Sequence, residues 1–183
     1  SWEGRSLNLL IVSAEENLAR LDEIRAETAK LADPRGLEPA AVDRICAGLP
    51  ATTWLAYSVH GDEISCTDAA LWLAWHLTSA VGDELVETIL RESIVVIDPL
   101  QNPDGRERFV FHARQTRGRW PDAEPDAAVR DQPWPGGRSN HYLFDMNRDW
   151  FGLTQPESRA RATAFQRMWP VMFVDLHEMG TNS

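Results

Sequence analysis

The chain has 183 residues, with 18 basic against 28 acidic side chains and a formal net charge of −10. At 43 % hydrophobic and 25 % charged, its composition is that of a globular domain, not of a disordered or fibrous chain. The acidic balance excludes a general attraction to nucleic-acid backbone, which rests on clustered Lys and Arg, and no uncharged stretch, neither the one between Arg44 and Asp62 nor the one between Asp68 and Asp83, reaches the roughly 18 residues that suggest a membrane span. Lys30 is the sole lysine, so the positive charge is nearly all Arg, the residue suited to forked carboxylate contacts. Cys46 and Cys66 allow one disulfide or none and fix no compartment. The chain opens on Ser1-Trp2-Glu3-Gly4 without Met or a visible signal peptide, so it reads as trimmed at its start, and a secreted or periplasmic location stays open.

Leu7–Val12 is an apolar run of strand length. Ser13-x-x-Glu16 has the pattern of a capping box, and Leu18, Leu21, Ile24 and Leu31 predict a helix to about Ala32, broken by Pro34 and Gly36. A second short helix is expected from Pro39 to about Leu49. Thr53–Val59 reads as a buried strand, Ser65 to about Ala80 and Asp83 to Glu92 as helices, and Ser93–Ile97 as another buried strand. Leu100 to about Thr154 reads as a long irregular region, and such a loop in a compact domain is functional or disordered. Glu157–Trp169 is a predicted helix and Val171–Asp175 a last strand. Apolar strands alternating with helices indicate an α/β domain, with a mostly parallel or mixed sheet and helices on both faces.

In such sheets ligands bind outside the carboxyl ends of the strands. His60 and Glu63 form H-x-x-E at one strand end, and His177 lies at another. Two imidazoles and a carboxylate suit zinc, with the fourth position left to water. H-x-x-E also recurs by chance, and a strand-end His60 bonded to backbone fits equally. Asn102-Pro103-Asp104-Gly105 alone reads as a tight turn. Arg106, Arg108, Arg114, Arg117 and Arg119 follow it with Glu107 as the only acid, either as an anion site or as a solvated loop. In Asp145-Met146-Asn147-Arg148-Asp149-Trp150, Asn147 and Arg148 can hydrogen-bond a carboxylate. Arg148 can instead pair with Asp145 or Asp149. Asp145 is also suited to accept the far N–H of a metal-bound His.

HGDE at 60–63, NPDG at 102–105, DMNRDW at 145–150 and DLH at 175–177, in this order and on these elements, resemble the zinc carboxypeptidases of the carboxypeptidase A type. The resemblance runs from about Gly4 to Gly180. It implies one zinc per chain held by His60, Glu63 and His177, with Asp145 behind the first zinc histidine. It implies that Asn147 and Arg148 grip the terminal carboxylate of a peptide substrate, making the activity hydrolysis of C-terminal peptide bonds. The family also uses an Arg downstream of NPDG to polarise the scissile carbonyl. Spacing points to Arg117, with Arg114, Arg119 and Arg138 open because loop lengths vary there.

The family's general-base Glu and the Tyr that closes over substrate lie on later segments than any here. Glu178 adjoins a zinc ligand but is not at the base position. The expectation is therefore one partial catalytic domain over 1–183, incomplete at both ends, that carries the zinc site and the carboxylate grip without the base. Two other readings stay open. One is an amide hydrolase of the aspartoacylase or succinylglutamate desuccinylase type, acting on a small acylated amino acid. The other is a non-catalytic zinc- or carboxylate-binding domain.

Overall fold

Four strands form one mixed sheet in the order β1–β3–β2–β4 in the computed structural model, which describes residues 1–179. Gly180, the far end of the motif resemblance, lies outside the described residues. The strands are β1 (Leu10–Val12), β2 (Ala51–Tyr57), β3 (Ser93–Asp98) and β4 (Met172–Leu176). β1 runs antiparallel to β3, with Leu10 opposite Ile97. β2 is parallel to both neighbours, with Thr53 opposite Val95 and Leu55 opposite Val174. Parallel pairing needs crossover connections. These are supplied by α4 (Ile64–Ser79) and α5 (Glu84–Glu92) after β2, and by α6 (Pro103–Thr116) and α7 (Pro156–Met168) after β3. Before β2 come α1 (Glu15–Ala19), α2 (Leu21–Ala32) and α3 (Pro39–Gly48).

The central strands bury both faces, which explains their continuous apolar runs. Tyr57, Val95 and Ile97 pack with Cys66, Ala70, Ala74, Leu77 and Val86 of α4 and α5. Trp54, Ala56, Ile94 and Val96 pack on the opposite face with Ile24 of α2 and Met168 of α7. The α/β class with helices on both faces is thus the observed one.

Several local expectations are corrected. β1 covers only the second half of the Leu7–Val12 run. Ser13 does not cap a helix: the N-cap is Ala14, and the Ser13 hydroxyl donates to the Leu90 and Ser93 carbonyls. The long helix predicted to Ala32 breaks at Arg20, whose φ of −114° is not helical. The largest departure is α6, fourteen residues inside the segment expected to be irregular. Asn102 is its N-cap, its side chain accepting the Gly105 N–H at 2.9 Å, and Pro103 occupies the first turn, where its missing N–H is harmless. The NPDG turn is a helix start. Cys46 is exposed and Cys66 buried, both free thiols.

Candidate metal centre

Parallel pairing of β2 with β4 brings their carboxyl ends to one edge of the sheet, and His60 and His177 follow those ends. Between β2 and His60 the chain kinks at Ser58, a non-glycine residue at φ +53°. That conformation costs on the order of 1 kcal/mol and persists only where surroundings enforce it. Here the Ser58 carbonyl accepts the Asn102 N–H at 3.1 Å, and its hydroxyl bonds the Glu63 carbonyl and the Thr67 hydroxyl. The next turn is equally constrained. A Cβ on Gly61 would lie 2.1 Å from the Arg106 nitrogen, and one on Gly105 2.3 Å from the Gly137 oxygen. Only hydrogen fits where these backbones meet.

Sequence-distant residues converge at this edge. One donor atom each from His60, Glu63 and His177 lies within 4.8 Å of the others. His60 Nδ1 is 2.6 Å from Glu63 Oε1, and His177 Nδ1 is 3.0 Å from Glu63 Oε2. Both outer nitrogens meet carboxylates: His60 Nε2 is 3.1 Å from Asp145 Oδ1, and His177 Nε2 is 3.1 Å from Asp175 Oδ2. In the tautomer that donates Nε2–H to each aspartate, each Nδ1 lone pair faces the Glu63 carboxylate. Two acceptors this close repel unless a proton or a metal cation sits between them. Nitrogen and oxygen donors with carboxylates behind the imidazoles fit zinc well.

The Asp145 carboxyl is held below the usual carboxylate range. Burial alone would raise it, but the Asn147 amide, His60 and Arg138 outweigh that. Arg138 sends Nε and Nη2 to Asp145 Oδ2 at 3.2 and 2.9 Å, and its Nη1 lies 3.4 Å from His60 Nδ1. Asn147 Nδ2 is 3.4 Å from His177 Nε2. Arg148 is exposed, and its guanidinium bonds only its neighbour's carbonyl among the described residues. It has no ion pair among the described residues. Asp149, the other candidate partner for Arg148, is instead engaged by Thr154 and the Gln155 amide.

The alternative arginines lie elsewhere. Arg117, at the end of α6, lines a groove with Ile64, Asp68, Arg106 and Arg114. Arg119 lies over the Trp120 ring. Among the described residues, only Arg138 of the four reaches the cluster. Sequence reasoning missed Asp175 as a partner for His177. The signal was present: residues two apart on a strand share a face.

A family model for zinc carboxypeptidases matches residues 1–181. Among solved structures, carboxypeptidase A from Helicoverpa armigera is similar with a TM-score of 0.52 at 15 % identity. That alignment covers 99 % of this chain and 39 % of the insect protein, so the chain spans well under half of that relative's length. At such identity the likeness is one of fold. No curated protein matches the chain. The edge-of-sheet donor set and a family match over nearly every residue agree: the chain belongs to the zinc carboxypeptidase family.

Proposed function

We propose that this chain forms the zinc-binding and carboxylate-gripping part of a metallocarboxypeptidase acting on peptides with a free C-terminus. The observation that carries it is the paired orientation of the imidazoles, each with Nδ1 turned to Glu63 and Nε2 held by an aspartate. His60, Glu63 and His177 would hold the metal. Bound zinc supplies a Lewis acid for the scissile carbonyl and lowers the pKa of its water to about 7. Asp145 and Asp175 fix the imidazole tautomers. Arg138 would face the negative charge that develops on the carbonyl oxygen. The same role for Arg117 requires its guanidinium to leave the α4–α6 groove. Asn147 and the unpaired Arg148 would bind the substrate carboxylate, Arg148 in bidentate fashion.

One observation favours a second reading, a binding module without hydrolysis. Glu178, the carboxylate adjoining His177, accepts the Ser65 N–H and hydroxyl through Oε1, and in this reading it is a structural group and not a base. An N-acyl amino acid hydrolase is a third reading, supported less by the neighbouring Asn147 and Arg148.

The test is metal content after dialysis, beside His60→Ala, followed by assay on blocked dipeptides with free or amidated C-termini. About one zinc per chain, lost in the variant, is expected. Zinc retained in full by both His60→Ala and His177→Ala would refute the assignment. Tight binding of free-C-terminal peptides without turnover would favour the binding module.

A further inference from the structure

Helix α7 makes no hydrogen bond to the metal-centre donors among the described residues, yet one of its side chains reaches both segments that orient them. Arg161 is only 6 % exposed. Its guanidinium lies 3.8 Å from the centroid of the Trp150 ring, next in sequence to the Asn147–Asp149 segment. Trp150 in turn packs edge-on against Phe173 of β4, with centroids 5.3 Å apart. Arg161 Nη1 donates to Gln101 Oε1. Gln101 Nε2 donates to Asp175 Oδ1 at 3.4 Å and to the Tyr57 carbonyl at 3.3 Å. Asp175 holds His177 Nε2 through its other oxygen.

Packing alone does not favour this arrangement. Arg161 Nε and Nη2 have no hydrogen-bond partner among the described residues. Burial pushes its pKa down, against the attraction of Asp98, Asp175 and Asp149. Apolar side chains often replace buried ions at no loss of stability. What an apolar residue lacks is a donor for Gln101. With Oε1 engaged by Arg161, the Gln101 amide is turned so that Nε2 faces Asp175.

We propose that Arg161 is a positioning residue for the metal centre, setting His177 through Gln101 and Asp175 while its stack on Trp150 sets the Asp145–Arg148 segment. This rests on reading His60, Glu63 and His177 as a metal centre.

Two readouts test it on the full chain: zinc affinity by chelator competition, and the imidazole nitrogen shifts of His177 in zinc-free protein. Arg161→Met is expected to weaken zinc roughly 10- to 100-fold, the usual range for partners behind a ligand, and to move the His177 shifts. Gln101→Leu should do the same, and the double variant should lose no more than the worse single one. Arg161→Lys, which keeps a donor for Gln101, should recover part of the loss. A folded Arg161→Met variant with unchanged zinc affinity and His177 shifts overturns the proposal, as do additive losses. If Arg161→Met does not fold, unchanged His177 shifts in Gln101→Leu overturn it instead. A wild-type chain that binds no zinc defeats the metal reading alone, since the zinc-free shifts still decide the positioning role.

Discussion

The two histidines of the centre are held unequally. His60 is 3 % exposed, within a turn whose backbone is fixed by Ser58, Asn102 and three glycines in mutual contact. The side chain of His177 is 28 % exposed, one residue beyond β4, an edge strand in the described sheet whose Met172 is 56 % exposed. The first arm is built by the fold. The second depends on a few polar contacts at the sheet margin: Glu63, Asp175 and, behind them, Gln101. A metal bound across both arms would therefore order the second far more than the first.

The largest effect that tests this contrast is the stability of zinc-free alanine variants. Both His60→Ala and His177→Ala should cost at least about 100-fold in zinc affinity. Only His60→Ala should also destabilise the metal-free fold, by about 2–3 kcal/mol, because it empties a buried site and strands the groups bonded to it. His177→Ala should cost under about 1 kcal/mol. Equal losses in urea unfolding would break the comparison.

Behind each arm stands a buried aspartate of opposite character. Asp104, beside the first arm, is held below the usual carboxylate range: burial would raise it, but the Ser1 hydroxyl, Arg5 and the Glu3 amide more than compensate. Its ionised form stabilises the fold above its unfolded pKa of about 3.9, and that contribution is lost as pH falls through the lowered folded value. Asp104→Asn should cost about 1–3 kcal/mol at pH 7 and progressively less in acid. Asp98 ends β3, behind the second arm. Burial pushes it up to about 7, reinforced by Asp175 and opposed by Arg161. Here the sign reverses: ionisation costs stability increasingly as pH rises from about 4 to about 7. Asp98→Asn should gain about 1–3 kcal/mol above pH 7 and nothing near pH 4. Unfolding curves at several pH values would show the two variants diverging in opposite directions. Parallel pH dependence would end the contrast.

The smallest effect separates the arginines. Arg138→Ala frees Asp145 and should weaken zinc by roughly 10-fold. Arg117→Ala, in its groove away from the cluster, should change zinc affinity less than about twofold. The reverse order would return the site role to Arg117.

The centre of the sheet was legible because β2 and β3 are buried on both faces and so read as β-branched and aromatic runs. The helix after β3 was not, for the reason that makes it begin well: Asn-Pro-Asp-Gly is turn chemistry and also a strong N-terminal cap, and the arginines after it mask the face carrying Phe109, Val110 and Ala113. Ser13 misled in the opposite way, since its hydroxyl serves β3 and α5 rather than its own helix. At the site, His60, Glu63 and His177 stood out because strand ends are where such folds bind ligands, and Asp145 because a carboxylate beside Asn147 and Arg148 suits the far N–H of a metal-bound His. Arg138 was one of several open choices, because its approach depends on a loop without periodicity. Gln101 and Arg161 carried no signal at all, since their roles arise from contacts 60 residues apart in the chain.

The contact among Gly61, Gly105 and Gly137 has a practical consequence. The Gly61 N–H donates to the Gly137 carbonyl at 2.9 Å, closing the joint between the His60 turn and the segment that leads into Arg138. That segment can lift away from His60 only if this bond opens. Exchange of the single Gly61 amide proton with solvent is therefore a built-in gauge of how often the centre comes apart, readable without metal, substrate or added label.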